Sequence, residues 1–189
     1  MTGSTKLKPM NSEPHDSVPG LAPDRASSAV EVLDGRLVAL LDMQLTLKHV
    51  HWNMVGPGFI SVHEMLDDQV GPVRDMVDAL AERIRTLGGT PVGTPASIVE
   101  RRSWDDYDLL RESVYVHLKK LDEVYDGIIA DHRAAISELS ELDPVSEDLL
   151  IAQTGTLEMF QWFVRSFFER SETTEEHHRT KASNGADSR

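Results

Sequence analysis

Apolar residues recur along most of the chain at alternating spacings of three and four, which is typical of helices that bury one face. The first such stripe predicts a helix over about residues 26–54 and places His51 on its buried side. The segment Gly56-Pro57-Gly58 then breaks the helix and lets the chain turn back. The residues of this stripe are Leu33, Leu37, Leu40, Gln44, Leu47 and His51.

Three more long helices follow, over about residues 60–87, 104–140 and 144–170. Ser61 and Glu64 fit a capping box at the start of the second helix, and Gly88-Gly89 closes it. Pro72 lies inside this helix, where a kink is expected because its ring removes one backbone donor.

Ser103 and Asp106 have a capping-box spacing before the third helix. Asp143 and Pro144 suit the cap and first position of the fourth.

The connection between the second and third helices is long, and Thr94-Pro95 predicts a short helix inside it that ends near Arg101. A connection of this length can cross from one end of a bundle to the other. The pattern predicts an all-α fold, a ferritin-like four-helix bundle with one long crossover that carries a short helix. The bundle is expected over residues 26–170, with residues 1–25 and 171–189 as flexible, polar tails.

Composition limits the class of protein. The chain has 189 residues, 40% of them apolar and 27% charged, which suits one soluble globular domain. There is no signal-peptide pattern and no run of 18 apolar residues, so we expect a cytoplasmic protein without a membrane span. The absence of cysteine excludes disulfides and thiolate metal sites.

The net charge of −13 makes contact with DNA unfavourable and attracts cations. Basic and acidic residues nearly cancel within residues 1–25 and within residues 171–189. The acidity therefore belongs to the predicted bundle, and DNA binding is expected to be weak.

Two pairs of metal-binding side chains share one stripe of the second helix. His63 and Asp67 are four residues apart, as are Asp78 and Glu82. Eleven residues separate Asp67 from Asp78, which is roughly 16 Å along a helix. Because metal–ligand bonds are only about 2 Å long, one ion cannot contact both pairs in one chain.

A second copy of the helix resolves this separation. If it crosses the first antiparallel near Pro72 and Val73, the His63–Asp67 pair of one chain faces the Asp78–Glu82 pair of the other. An isologous contact repeats every pairing, so the dimer would carry two identical sites. The turn after the first helix should bring His51 to His63 as a fifth ligand.

Each element of this site has a less specific interpretation when it is taken alone. His63 with Asp67 is more often a surface ion pair, and Asp78 with Glu82 a solvated acidic face. Two imidazoles with three carboxylates suit iron, manganese or zinc better than calcium. The Glu-x-x-His motifs of an intrachain di-iron site are absent from the predicted helices.

At these residues the chain resembles the Dps family, the bacterial miniferritins named as DNA-binding proteins from starved cells. The resemblance covers about residues 26–170, and its motifs are specific when they occur together. The motifs that carry it are KHVHWN (48–53), HEMLD (63–67), Asp78, AER-x3-LGG (81–89) and the segment from Asp148 to Arg165.

The resemblance implies a ferroxidase centre with His51, His63 and Asp67 from one subunit and Asp78 and Glu82 from its partner. It further implies that Lys48 pairs with Asp67 and that Trp52, as a residue with a catalytic role, lies by the site. An exposed lysine and an interface tryptophan are the alternatives for these two residues.

For the whole protein, the resemblance implies a dodecamer that oxidises Fe(II), preferably with hydrogen peroxide, stores ferric mineral in its shell and protects DNA. Association with the nucleoid is left open. Two alternatives remain, namely a DNA-binding nucleoid architectural protein with secondary metal binding, and a bundle that binds zinc or manganese without redox turnover.

Overall fold

The computed structural model describes residues 18–184, with side chains through Phe168. The N-terminal segment 1–17 and residues 185–189 lie outside this range, so the tail predictions for them fall outside the described residues. The elements are α1 (Pro23–Asn53), β1 (Met54–Val55), α2 (Phe59–Thr86), α3 (Pro95–Arg101), β2 (Glu112–Ser113), α4 (Val114–Leu142) and α5 (Pro144–Asn184).

The four long helices pack as two hairpins, α1 with α2 and α4 with α5, and α1 also packs against α4. Their facing stripes bury one continuous core, which includes Leu33, Leu66, Leu118, Tyr125 and Leu157. The short helix α3 rests on α1 within the crossover. This arrangement confirms the predicted bundle and its long crossover. No helix in the described part of the chain is both long and apolar enough to cross a bilayer.

The α1–α2 turn depends on two glycines with positive φ. Gly56 has φ 102° and Gly58 has φ 81°, a region that side chains with a Cβ rarely adopt. Gly58 is the N-cap residue of α2, and no side chain caps this helix end. The predicted capping box of Ser61 and Glu64 is therefore wrong, because the helix has already begun at Phe59.

The other end of α2 follows the prediction. Gly88 has φ 86°, and the Gly89 amide donates to the Ile84 carbonyl at 2.9 Å. A Cβ added at Gly89 would lie 2.7 Å from Val30 Cγ1, so this close approach to α1 requires glycine. Between its two ends, α2 is continuous through Pro72.

The predicted start of the third long helix near residue 104 is wrong, since α4 begins at Val114. Ser113 is its N-cap residue, and the Ser113 hydroxyl accepts a hydrogen bond from the Val116 amide at 3.3 Å. Ser103 and Asp106 lie instead in irregular chain.

Long-range contacts hold residues 102–111 in this irregular conformation. Trp104 Nε1 donates to the Asp42 carboxylate at 2.7 Å, and His49 Nε2 lies 2.7 Å from the Leu109 carbonyl oxygen. The segment ends where β2 pairs with β1 in parallel, Met54 opposite Glu112. These contacts join the crossover to the turn that follows α1.

The predicted end of the fourth helix near residue 170 is also wrong, because α5 continues to Asn184. The sequence from 171 to 184 contains neither proline nor glycine, the two residues that most disfavour a helix interior.

Candidate metal centre

The α1–α2 hairpin brings His51 and His63 into contact, as the sequence predicts. His51 lies in the last turn of α1 and is 5% exposed, and His63 lies in the second turn of α2. Their imidazole rings stack with centroids 3.6 Å apart and planes 25° apart. The glycine-rich turn is short enough to hold the two rings face to face.

Each histidine is oriented by the backbone of the other. His51 Nδ1 lies 3.2 Å from the His63 carbonyl oxygen, and His63 Nδ1 lies 3.3 Å from the His51 carbonyl oxygen. A carbonyl oxygen only accepts, so each ring carries its proton on Nδ1. In this tautomer each Nε2 keeps its lone pair, while His51 Nδ1 also lies 3.4 Å from Asp67 Oδ1.

Asp67 completes the cluster one turn along α2 from His63. Ligand atoms of His51, His63 and Asp67 all lie within 4.8 Å of one another. In the described part of the chain, this is the one group of three or more histidine or carboxylate side chains close enough to share an ion. Two imidazole nitrogens and a carboxylate on one side of an ion are a donor set that suits iron and other divalent transition metals.

Lys48 lies beside this cluster, as the family resemblance implies. Its Nζ is 2.8 Å from Asp67 Oδ1 and 5.8 Å from the ring centroid of Trp52. The hydrogen bond from Lys48 lowers the pKa of the Asp67 carboxyl. Burial, and then the Lys48 ammonium, lower the pKa of His51. At neutral pH the carboxylate is therefore ionised and the His51 imidazole is neutral, which are the forms that bind metal.

Asp78 and Glu82 are not part of this cluster. Both are exposed on the later half of α2, three turns from Asp67. Because α2 is continuous, the helix rise separates the two pairs by roughly 16 Å within one chain. Within one chain, the two pairs therefore lie too far apart to bind the same ion.

Trp52 follows His51 on α1, but its side chain is 69% exposed. Its ring lies beside Lys48, with Nζ 5.8 Å from the ring centroid. An exposed indole at this position suits contact with a partner surface as well as a role beside the metal.

One contact at the centre was not predicted from the sequence. The Phe59 ring packs against the His63 ring, with centroids 5.0 Å apart at an angle of 40°. Phe59 lies four residues before His63, so the i, i+4 spacing on a helix carries the signal for this pair.

The comparisons with known proteins agree with this geometry. A family model described as a ferritin-like domain matches residues 30–174. The DNA protection during starvation protein of Mycolicibacterium smegmatis is 54% identical over 153 residues, 81% of this chain and 84% of that protein. The chain belongs to the Dps family.

A solved Dps structure shows the same fold. DpsA14 from Streptomyces coelicolor superposes with a TM-score of 0.81 at 53% identity, covering 82% of this chain and 92% of that one. The chain is also 46% identical over 160 residues to a Haemophilus ducreyi protein named fine tangled pili major subunit, covering 85% of each. The match to the ferritin-like domain includes all five predicted ligands, and Dps membership supports a miniferritin role.

Proposed function

We propose that this Dps protein oxidises Fe(II) to Fe(III), with hydrogen peroxide as its preferred oxidant. The observation that carries the proposal is the cluster of His51, His63 and Asp67 within 4.8 Å. Two Fe(II) ions give one electron each, and peroxide with two protons is reduced to two water molecules. Carboxylate ligands favour the harder Fe(III) product.

The site is shared between two subunits in this proposal. His51, His63 and Asp67 of one chain face Asp78 and Glu82 of another across a two-fold axis near Pro72. The separation of the two halves along α2 supports sharing, since neither half alone encloses an ion. The symmetry of such a contact would create two sites in each dimer.

Further assembly into a dodecameric shell would store the ferric product away from DNA in the cytoplasm. Large apolar side chains exposed around the hairpin support burial against other copies. Leu45 is 62% exposed, Ile60 is 62% exposed, and Trp52 belongs to the same region.

The decisive experiment is stopped-flow oxidation of Fe(II) by substoichiometric peroxide. Wild-type protein should accelerate the reaction over buffer, and the double variant Asp78→Ala with Glu82→Ala should lose the acceleration. The matched control is Glu64→Ala with Asp68→Ala, which removes two exposed carboxylates at the same spacing on α2. Absence of acceleration by the wild type would refute the proposal.

Stopped-flow oxidation and a DNA gel shift separate the alternatives. A bundle that binds zinc or manganese without turnover would consume no peroxide with Fe(II). A nucleoid architectural protein would shift DNA in a gel at physiological salt. Arg165 is a basic residue on α5, but its guanidinium bonds to Asp122 and Asp126 at 2.7 Å each, which argues against a role in binding DNA phosphates.

A further inference from the structure

A cleft separate from the metal centre lies between α1 and α4, under the irregular segment 103–107. Its volume is about 280 Å³. Ala39 and Thr46 line it from α1, and Val124 and Ile128 line it from α4. None of its lining residues belongs to the metal cluster, so the proposed iron chemistry leaves the cleft unexplained.

Gly127 lines the cleft from α4 and is exposed. It lies in the middle of α4, where glycine is less favourable than alanine. A Cβ added at Gly127 would meet no atom within 4 Å. Neither backbone conformation nor close packing requires glycine here, and its effect on the structure is the space it leaves.

The cleft has an excess of negative charge. Five carboxylates line the cleft, against one cation, Lys120. The carboxylates belong to Asp42, Asp105, Asp106, Glu123 and Asp131. Neighbouring cations compensate most of them. Arg102 contacts Asp42 and Asp106, Arg36 contacts Asp131, and Lys120 contacts Glu123.

Asp105 has no ion-pair partner among the described residues. Each of the two arginines and Lys120 already contacts a carboxylate, so an anionic ligand would find no unpaired cation in the lining. The uncompensated charge of the cleft is negative and selects for a cation.

A hydroxyl without a partner in the described part of the chain and two aromatic side chains add to the selectivity of the cleft. Thr46 is only 7% exposed and lines the cleft, and no hydrogen bond reaches its hydroxyl from the described residues. Trp104 and Tyr107 lie in the segment that covers the cleft, and both are among its lining residues. A hydroxyl oxygen can accept a hydrogen bond from an ammonium group, and aromatic faces attract cations.

We propose that this cleft binds a small organic cation, an ammonium group joined to an apolar body about the size of one ring. The ammonium would lie near Asp105, and the apolar body would cover Ala39, Val124 and Ile128. A cleft of this size is at the lower end for ligand pockets, which limits the occupant to roughly ten non-hydrogen atoms.

Calorimetric titration of the assembled protein with 2-phenylethylammonium tests the proposal. We expect a dissociation constant on the order of 1 mM or lower, which is reasonable for a ligand of nine non-hydrogen atoms. The isosteric neutral alcohol 2-phenylethanol and the anion phenylacetate should bind at least about tenfold more weakly, and added salt should weaken the ammonium complex.

Two pairs of variants locate the binding. Gly127→Leu should abolish it by occupying part of the cleft, whereas Gly155→Leu, at an equally open helix glycine on α5, should leave it unchanged. Asp105→Asn should weaken binding about threefold, and Asp108→Asn, three residues away and outside the cleft lining, should have a smaller effect.

Three results would overturn the proposal. The first is that the wild-type assembly gives no heat of binding. The second is that the ammonium and the alcohol bind with equal affinity. The third is that an assembled Gly127→Leu variant binds as well as the wild type. If Gly127→Leu does not assemble, the Asp105→Asn and Asp108→Asn pair decides, because both substitutions are on exposed side chains. If Asp105→Asn and Asp108→Asn bind the ammonium with equal affinity, the ammonium does not lie near Asp105. None of these outcomes depends on iron oxidation.

Discussion

His51 and His63 show how local geometry sets the chemistry of single side chains. Residue type and spacing predict that both belong to the site, because a turn must follow a helix that ends at Asn53. The reciprocal bonds from each Nδ1 to the opposite carbonyl are not predictable from spacing. They depend on the ring stacking that the turn of Gly56 and Gly58 imposes.

Phe59 acts on the metal centre by holding His63. We expect Phe59→Ala to weaken Co(II) binding up to about tenfold, since the neighbours of ligating histidines tune affinity by about this much. The readout is a titration followed by visible absorption, which needs no turnover. Val99→Ala, on α3 and 67% exposed, is the control and should leave affinity unchanged. Equal affinities of both variants would remove Phe59 from the site.

His132 makes the stability of the bundle depend on pH. It is fully buried on α4, its Nδ1 lies 2.9 Å from the Ile128 carbonyl oxygen, and its Nε2 has no hydrogen-bond partner. Burial, and then the nearby charge of Arg36, lower its pKa to about 4, against the opposing effect of Asp131. The unfolded chain takes up this proton near pH 6.5, so His132 favours unfolding as the pH falls.

The expected loss attributable to His132 is roughly 2 to 3 kcal/mol of unfolding free energy between pH 7 and pH 4.5. His132→Leu removes the titrating group and should flatten the pH dependence by that amount. Denaturant unfolding at pH 7, 6, 5 and 4.5 measures the difference. Parallel pH profiles for the variant and the wild type would contradict the assignment.

At the scale of elements, periodicity predicts which helices exist better than it predicts where they begin. Ser103 with Asp106 has the better capping pattern, and Ser113 has no acidic residue three positions later. The structure nonetheless begins α4 after Ser113. Contacts such as Trp104 with Asp42 fix the preceding segment, and they join residues too distant for any local pattern to show.

The two serines provide a matched test of this boundary. Ser113→Ala removes the hydroxyl that accepts from the Val116 amide and should cost about 1 kcal/mol of unfolding free energy. Ser103→Ala should change stability by less than about 0.5 kcal/mol, because Ser103 caps no helix. Denaturant unfolding of both variants measures the difference. A larger loss for Ser103→Ala would favour the boundary that the sequence pattern suggests.

At the scale of the whole molecule, the sequence predicts more of the site than one folded chain displays. The eleven-residue interval between Asp67 and Asp78 already excludes an intrachain centre, and the structure places the two halves apart on one continuous helix. The register of the partner across Pro72 depends on the surface of a second subunit, which no pattern within one chain specifies.

Mixed assemblies test sharing directly. One chain carries His63→Ala with Asp67→Ala, and the other carries Asp78→Ala with Glu82→Ala. Each assembled alone should lack peroxide-driven Fe(II) oxidation. When equal amounts are unfolded and reassembled together, half of the dimers contain both chains. Two-fold symmetry gives each mixed dimer one intact and one doubly damaged site, so about a quarter of the wild-type rate should return.

In the control, the two variants are assembled separately and then mixed. No activity should appear, because subunits do not exchange between finished assemblies. Stopped-flow absorbance of Fe(III) gives all the rates under one condition. An intrachain centre would leave every mixture inactive, because each chain would carry its own damage. Recovery only after joint reassembly would therefore require that the hairpin of one subunit and the later half of α2 in another form one site.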